Sequence, residues 1–517
     1  MLAKTGLLVV SNPKHINRLL SDVQKSVKST LYIQLLSALT EPLGNFYSNL
    51  FTTPPKFSRT IFNIYSQASR QCNNLDVRVL LSSLKSHVSE IKTINPIDIV
   101  IFDKEYSRND IEKFIKSKVS NISKEHDILT VCCGQNDEIP TENDPRDFQV
   151  YKHVCLGGTF DRLHVAHKLL LSDAILRTSE KLTIGVTEEN MTHSKLLWEL
   201  IEDVDTRITK LENFVKDICP ELTYNICKIS DPYGPAIVDE TMSMIVVSEE
   251  TVRGGEKINE IRKQAGLSEL SIVPIPFIDE PNPHIREETK ISSSNLRLRL
   301  LGTLIKPLEN KNIPNKPYII GLTGGIASGK SGVINHLKDL DVPVIDCDKI
   351  GHEMYEKTGP SFAQVVGTFG KQILNPEGEI DRKILGNLVF KKPDELKKLT
   401  DILWPAMALK IQEIVKNFNT DVVCLEAAVL CQAGWDKFCH EIWCTFVPEK
   451  EAIERLKRRN NLTDVQAKDR LASQPSNKDY ISHANVVFCP LWEVEYTRLQ
   501  VIRAWELLQK RLGQVDC

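Results

Sequence analysis

Residues 318–331 read YIIGLTGGIASGKS, an apolar strand that runs into a glycine-rich turn and then into a helix. The spacing GxxxxGKS in this context predicts a phosphate-binding loop, because glycines allow several backbone N–H groups to point inward at a phosphate. In such a loop Lys330 reaches the β- and γ-phosphates of a nucleoside triphosphate, and Ser331 gives its hydroxyl to Mg²⁺ as the predicted metal ligand. The predicted phosphate-binding residues are Gly324, Gly325, Ile326, Ala327, Ser328, Gly329, Lys330 and Ser331.

Acidic side chains follow two later apolar strands of the same region. Residues 342–345 lead into Asp346 and Asp348, and residues 422–425 lead into Glu426. Because ligands of parallel sheets bind at the carboxyl ends of the strands, we expect these carboxylates beside the phosphate-binding loop. One of them can orient an attacking hydroxyl while another serves the metal or the sugar. A plain helix-capping role for Asp346 or Asp348 stays open.

Motifs over nearly all of residues 317–500 give this region a family resemblance. In order they read GLTGGIASGKS, VIDCDKIGHE, GEIDRKILGNLVF, ILWPAM, LEAAVLCQAGWD and KDRLASQ, and together they resemble those of dephospho-coenzyme A kinases. The resemblance implies transfer of the ATP γ-phosphate to the ribose 3′-hydroxyl of dephospho-coenzyme A. It also implies that Asp348 is the base, that Asp346 is its partner and that Arg470 belongs to a lid over the phosphates. The alternative for Arg470 and the basic residues near it is a solvent-exposed basic surface without a role in the reaction.

A second candidate site lies in the middle of the chain. Residues 150–156 form a predicted strand that ends in GGTFD (157–161), and His164 and His167 follow on the first turn of a predicted helix. Imidazole N–H groups at a helix N-terminus can hold the polyphosphate of a nucleotide and stabilise charge on its α-phosphate. We favour this interpretation over a metal site, because no third ligand with metal spacing is near. The other alternative is that both are surface histidines with ordinary hydrogen bonds and no role in binding.

The middle motifs resemble a second family. GGTFDRLHVAH and the later string SSSNLR (292–297) resemble nucleotidyltransferases with HxGH-type and ISSTxxR-type signatures, and VSEETVRGGEKINEIRKQAGL adds a resemblance to eukaryotic phosphopantetheine adenylyltransferases. This implies adenylyl transfer from ATP to 4′-phosphopantetheine, with His164, His167 and Lys195 as catalytic residues. Ala166 stands where the family usually has glycine, and would narrow the ATP pocket. The residues implied to bind ATP are Gly158, Thr159, Phe160, Ser292, Ser293, Ser294 and Arg297.

Short apolar strands alternate with amphipathic helices along the chain, which predicts an α/β fold. We expect two doubly wound parallel-sheet modules, a Rossmann-like nucleotidyltransferase and a P-loop kinase, after a smaller α/β unit without a glycine-rich loop, acid pair or histidine cluster. Residues 134–147 are polar and acidic and contain proline, which is typical of a linker or long loop. The predicted domains are an N-terminal region of unknown role (1–145), the nucleotidyltransferase-like module (148–301), a linker (302–316) and the kinase-like module (317–517).

Composition excludes several classes of protein. Lys and Arg total 65 against 68 Asp and Glu, so no net positive field is available to hold a long nucleic acid. No apolar run approaches the ~20 residues that a transmembrane helix requires. The 13 scattered cysteines include no CxxC pair, which argues against zinc sites and disulfides and favours the reducing cytoplasm. The basic, amphipathic residues 13–28 leave peripheral mitochondrial association open.

The two resemblances predict consecutive reactions, because the dephospho-coenzyme A formed in the first is the substrate of the second. Residues 148–517 together resemble the bifunctional coenzyme A synthases of animals, which implies the last two steps of coenzyme A biosynthesis with ATP as co-substrate and Mg²⁺. Two other interpretations stay open. The middle module could be cytidylyltransferase-like and act on another phosphorylated alcohol beside a small-metabolite kinase, or it could be a degenerate nucleotide sensor or scaffold beside an active dephospho-coenzyme A kinase.

Overall fold

The computed structural model describes residues 2–36, 43, 54–85, 90–131, 149–309, 313–314, 316–389 and 392–513. Its strands form three five-stranded sheets, and neighbouring strands of the described residues are parallel. The chain forms two compact units, Met1–Leu296 with two of the sheets and Arg297–Cys517 with the third. None of the helices in the described ranges is long and apolar enough to cross a membrane. The predicted linker at 134–147 lies outside the described residues.

The N-terminal region forms the first sheet. Its strands are β1 (Ala3–Val10), β2 (Val27–Leu35), β3 (Asp76–Val79), β4 (Ile97–Phe102) and β5 (Ile122–Thr130). Its helices are α1 (Ile16–Val23), α2 (Pro54–Gln71), α3 (Ser82–Lys85) and α4 (Arg108–Lys118). The strand order is β3-β2-β1-β4-β5, so the region expected as a smaller α/β unit has a full five-stranded sheet of its own.

The second sheet contains the histidine motif. Its strands are β6 (Tyr151–Gly158), β7 (Thr178–Thr187), β8 (Thr223–Ile229), β9 (Met244–Ser248) and β10 (Ser271–Ile275). Its helices are α5 (Val165–Arg177), α6 (Val204–Ile218), α7 (Val252–Gln264) and α8 (Ser293–Leu300). The order is β10-β9-β6-β7-β8. If the strands of each sheet are numbered from its own first strand, the first and second sheets have the same order, 3-2-1-4-5.

The third sheet contains the phosphate-binding loop. Its strands are β11 (Tyr318–Thr323), β12 (Val344–Asp346), β13 (Val422–Glu426), β14 (Glu441–Thr445) and β15 (Val486–Phe488), in the order β12-β13-β11-β14-β15. Its helices are α9 (Lys330–Lys338), α10 (Cys347–Met354), α11 (Phe362–Phe369), α12 (Arg382–Val389), α13 (Pro393–Lys416), α14 (Glu449–Asn460), α15 (Asp464–Ala472), α16 (Asn477–His483) and α17 (Val494–Arg511). The doubly wound parallel sheets predicted for the middle and C-terminal modules are confirmed.

The beginning of the segment predicted as a second linker lies along the third sheet. The backbone N–H of Gly302 donates to the carbonyl of Val487 at 2.9 Å, and that of Ile305 donates to Asn485 at 2.8 Å. These bonds give edge strand β15 a short antiparallel neighbour. Residues 310–312 and 315 of the predicted linker lie outside the described residues.

The first and second sheets share an apolar core. Helix α2 of the first packs on α5 of the second, and buried side chains of both join one cluster. Tyr65 and Ala68 come from α2, Leu171 and Ala174 from α5, and Phe214 from α6. The predicted boundary near 145–148 therefore separates two sheets but not two compact units.

The basic stretch at residues 13–28 is part of the same core. It contains α1, whose apolar residues Ile16, Leu19, Leu20 and Val23 are all buried. The apolar side of this helix packs inside the folded unit, and the basic side chains remain on its other side.

Candidate active sites

The phosphate-binding loop requires glycine at two positions. Gly324 has φ +143°, and a Cβ there would overlap the carbonyl oxygen of Thr445. Gly329 has φ +93°, and its Cβ would overlap the ring of Pro490. Both angles lie where residues with a side chain are strained. At both glycines the loop therefore packs too closely against neighbouring residues to accept a side chain. Helix α9 begins directly after the loop, at Lys330.

Lys330 lies among the acidic residues predicted to share its site. Its ammonium donates to the carbonyl of Gly324 at 2.8 Å and to that of Gly325 at 3.3 Å. Burial lowers the pKa of Lys330, an effect that the carboxylates of Glu426 and Asp348 oppose. Residue pairing of β12 with β13 sets Asp346 beside Glu426. The loop and the acidic strand ends therefore meet at one edge of the sheet.

The carboxylates of this edge repel one another. Burial raises the pKa of Glu426; the charge of Lys330 opposes that rise, and the charges of Asp346 and Asp348 add to it. Asp346 accepts a hydrogen bond from the N–H of Lys349 at 3.0 Å and so caps the N-terminus of α10, the role that the sequence left open for it. Asp348 is exposed in the first turn of the same helix.

The arginines near the loop differ in their surroundings. Arg470 is exposed on α15, which fits both a lid residue and a solvent-exposed basic surface. Arg455 on α14 is instead fixed to the protein: it pairs with Glu451 at 2.7 Å and donates to the carbonyls of Ala327, at 3.3 Å, and of Pro490. Arg455 thus braces the phosphate-binding loop.

Two further residues hold this loop, and sequence reasoning gave them no role. The side-chain oxygen of Gln474 accepts a hydrogen bond from the N–H of Ile326 at 2.7 Å, and the Thr445 hydroxyl bonds that of Ser328 at 2.7 Å. Gln474 ends the quoted motif KDRLASQ, which was the available signal. Thr445 ends a buried strand and carried none.

The middle site lies where β6 meets α5. His164 is the N-cap of α5, and the rings of His164 and His167 stack with centroids 3.7 Å apart at 20°. The Ser293 hydroxyl donates to the carbonyl of Asp161 at 2.9 Å and lies 3.3 Å from Nε2 of His164. The hydroxyl of Thr187 donates to that of Thr159 at 3.1 Å. The structure thus brings the two predicted motifs of this module together.

The charge state of His167 follows from its environment. Burial and, to a smaller extent, the nearby ammonium of Lys195 together lower the pKa of His167 to about 3. The imidazole is therefore neutral at neutral pH in the free protein. A neutral imidazole still has one N–H to donate to a phosphate oxygen.

The remaining predicted ATP-binding residues occupy different environments. Phe160 is buried, and its ring lies against Gly158. The ring centroids of Phe160 and His167 are 5.3 Å apart, so Phe160 packs against the histidine. The Ser292 hydroxyl caps α8 by accepting from the N–H of Asn295 at 3.2 Å. Ser294 lies in the first turn of α8. Arg297, later in that helix, is only 2% exposed.

Arg207 organises the middle site and was missed. This α6 residue is 2% exposed, and its guanidinium donates to the carbonyls of Thr159 at 2.6 Å, Thr187 at 2.9 Å and Glu202 at 2.8 Å. It therefore ties the carboxyl end of β6 to that of β7. An arginine on an amphipathic helix usually lies at the surface, so the sequence gave no signal for this role.

Two family models match separate parts of the chain. The model described as dephospho-CoA kinase matches residues 318–489, and the model described as cytidylyltransferase-like matches residues 155–299. These ranges contain the phosphate-binding loop and the histidine motif respectively.

Individual relatives match the C-terminal part. A dephospho-CoA kinase of Dehalococcoides mccartyi is 36% identical over 172 residues, which is 33% of this chain and 86% of that protein. One of Carboxydothermus hydrogenoformans is 36% identical over 195 residues, 37% of this chain and 93% of its own. The solved dephospho-CoA kinase from Campylobacter jejuni covers 38% of this chain and 98% of its own, with 24% identity and a TM-score of 0.31. The chain therefore belongs to the dephospho-CoA kinase family and joins to that kinase domain a cytidylyltransferase-like domain, the combination expected of a bifunctional enzyme of coenzyme A biosynthesis.

Proposed function

We propose that this chain converts 4′-phosphopantetheine into coenzyme A in two consecutive steps. The observation that carries the proposal is the convergence of each predicted motif set at one edge of its own sheet. His164, His167 and Ser293 meet beside β6, while Lys330 lies with Asp348 and Glu426 beside β11. The product of adenylyl transfer at the first edge is the acceptor for phosphoryl transfer at the second.

The first step needs positioning rather than a nucleophilic side chain. A phosphate oxygen of 4′-phosphopantetheine attacks the α-phosphorus of ATP, the bond to the bridging oxygen of the β-phosphate breaks, and pyrophosphate leaves. His164 and His167 donate N–H groups to the polyphosphate at the N-terminus of α5, and Lys195 neutralises charge. Thr159 contacts the reacting phosphate from a position that Thr187 and Arg207 fix. Holding both substrates in line supplies most of the rate.

The second step transfers the ATP γ-phosphate. The ribose 3′-hydroxyl of dephospho-coenzyme A attacks the γ-phosphorus, its proton passes to Asp348, and ADP leaves. Lys330 exchanges the carbonyls of Gly324 and Gly325 for phosphate oxygens. Arg470 on its exposed helix closes over the transferring group, and Asp346 fixes the start of α10 on which Asp348 lies.

Mg²⁺ fits the second site as a partner of ATP. The described residues contain no group of three or more His, Cys, Asp or Glu side chains arranged to hold a metal, so ATP itself would supply most of the ligands. Ser331 and Glu426 are the residues that would hold the ion, and the mutual repulsion of Glu426 with Asp346 and Asp348 favours a cation there. When bound, it neutralises phosphate charge.

We further propose a cytoplasmic location. The 13 cysteines of the sequence are scattered and include no CxxC pair, which supports a reducing compartment. Association with mitochondria is the alternative location. Fractionation of cells that express the tagged full-length chain decides between the two. Recovery with mitochondria would overturn the cytoplasmic assignment.

Product analysis tests the catalytic proposal. Purified protein is incubated with 4′-phosphopantetheine, ATP and Mg²⁺, and the products are identified by mass spectrometry beside a Lys330→Ala variant. The wild type should yield coenzyme A, and the variant should stop at dephospho-coenzyme A. Parallel reactions with CTP test a cytidylyl donor. If the wild type consumes no 4′-phosphopantetheine but still phosphorylates added dephospho-coenzyme A, the middle module is a sensor or scaffold.

A further inference from the structure

The helix that carries the catalytic histidines is anchored in the first sheet. Lys168, the residue after His167, is only 4% exposed, and its ammonium donates to the carbonyl of Val77 at 3.0 Å and pairs with Asp76. Asp76 and Val77 belong to β3. Successive helix residues point about 100° apart, so α5 presents His167 to the nucleotide edge while it presents Lys168 to the N-terminal sheet.

The anchor continues into a second helix of the nucleotidyltransferase-like module. Asp76 also accepts two hydrogen bonds from Arg78, at 2.9 and 2.7 Å, and Arg78 pairs with Asp217 of α6 at 2.6 Å. The side chain of Asp217 is fully buried and accepts from the Tyr32 hydroxyl of β2 at 2.7 Å. Since α6 also carries the arginine that ties β6 to β7, both helices that shape the edge are bound to the first sheet.

Each partner of the ion pair opposes the effect of burial on the other. Burial lowers the pKa of Lys168, and the carboxylate of Asp76 acts against that shift. Burial alone would raise the pKa of Asp76, yet the ammonium of Lys168 and the guanidinium of Arg78 hold it below its ordinary value. Further along α5, Ser58 donates to Asp173 at 2.8 Å, and Lys85 bonds the carbonyl of Thr178 at the helix end. The helix is therefore held by the N-terminal region at three places: by β3 at its beginning, by α2 in its middle and by α3 at its end.

We propose that the first sheet is a positioning module for adenylyl transfer, and that the Asp76–Lys168 pair sets where His164 and His167 stand at the nucleotide edge. The inference rests on the proposed function of the middle module. It gives the N-terminal region, in which the sequence shows no catalytic motif, a role in the first reaction and none in the second. Asp76 and Lys168 act as positioning residues, because neither is placed to touch a substrate.

The test is Asp76→Asn in the full chain, with both half-reactions measured. The turnover number of dephospho-coenzyme A formation should fall about 10- to 100-fold, the cost of moving reacting groups by about an ångström, with a smaller change in the KM for ATP. Phosphorylation of added dephospho-coenzyme A should keep its wild-type rate. Asp22→Asn, a matched change in an exposed pair with Lys25 of the same region, should alter neither rate.

A second variant separates positioning from folding. Asp76→Asn combined with Lys168→Met leaves no buried charge without its partner, so the core should remain folded while the anchor is lost. The stoichiometry of ATP binding, measured by calorimetry with Lys330→Ala added to silence the other loop, gives the folded fraction. Turnover corrected for that fraction should stay low in the double variant. The separate single variant Asp76→Glu keeps a carboxylate, and its turnover should lie between those of Asp76→Asn and the wild type.

The outcomes distinguish the two proposals. Wild-type turnover per ATP-binding site in Asp76→Asn and in the double variant would overturn the positioning role and leave the proposed function intact. If the wild type itself forms no dephospho-coenzyme A from 4′-phosphopantetheine, the proposed function fails first, and the positioning role fails with it.

Discussion

The first and second sheets have the same strand order and differ at the edge where their first strand ends. After β1, the N–H groups of Ser11 and Asn12 donate to the buried carboxylate of Asp103, at 2.6 and 3.0 Å, and the Ser11 hydroxyl adds a third bond at 2.9 Å. After β6, the chain instead presents Thr159 and the stacked histidines. An internal carboxylate thus takes the donors that a phosphate would need, so in our proposal one topology serves support in one case and chemistry in the other.

The largest expected effect comes from exchanging a histidine at each edge. His167→Ala should lower the rate of adenylyl transfer about 10²- to 10³-fold, the usual cost of losing one preorganised donor. His15→Ala changes a histidine that follows β1, and should leave the rate as it is. Initial rates of pyrophosphate release measure both. Comparable losses in the two variants would remove the distinction between the edges.

A smaller effect is expected on the stability of the first sheet. Asp103→Ala leaves three donors at the end of β1 without their acceptor, which should cost about 1–3 kcal/mol. Asp22→Ala removes only an exposed ion pair and should cost less than about 1 kcal/mol. Hydrogen–deuterium exchange of peptides that cover β1 and β4 measures the loss of stability in each of the two variants. Equal protection in the two variants would show that Asp103 does not hold this edge closed.

The smallest expected effect concerns pH. Burial, followed by the charge of Lys195, lowers the pKa of His167 to about 3, so the free enzyme keeps this imidazole neutral above about pH 5. The kcat/KM for ATP in adenylyl transfer should therefore not fall as pH rises through about 6.5, as it would if the cation were required. His167→Gln keeps an N–H donor that does not titrate, and its profile should have the same shape. A tenfold fall per pH unit that disappears in His167→Gln contradicts a neutral role.

Sequence patterns predicted the parts of the fold that depend on local order. A strand, a glycine turn and a helix follow one another at Lys330 and again at His167, so both edges could be located and their motif partners expected nearby. Glu426 lies beside the phosphate-binding loop, as the rule that parallel strands end at one edge predicted. Ser293 lies beside His164, and the signal for that pair was the resemblance of both strings to one family.

Long-range contacts between ordinary side chains could not be predicted. Asp76 and Lys168 are 92 residues apart, and each has the sequence context of a surface charge. Arg207 holds the candidate edge through bonds to backbone carbonyls, which leave no sequence pattern. The shared strand order leaves no sequence repeat, because a buried parallel strand requires only a short apolar run and the edge residues differ. The assignments of the individual catalytic residues stay predictions.

Complementation between two inactive variants tests most directly whether the two steps occur at two separate edges. His167→Ala and Lys330→Ala are each incubated with 4′-phosphopantetheine, ATP and Mg²⁺, alone and mixed, and coenzyme A is quantified. Neither variant alone should form appreciable coenzyme A, and the mixture should restore it, because Lys330→Ala releases the dephospho-coenzyme A that His167→Ala phosphorylates. Full coenzyme A formation by His167→Ala alone, or failure of that variant to phosphorylate added dephospho-coenzyme A, would contradict the account.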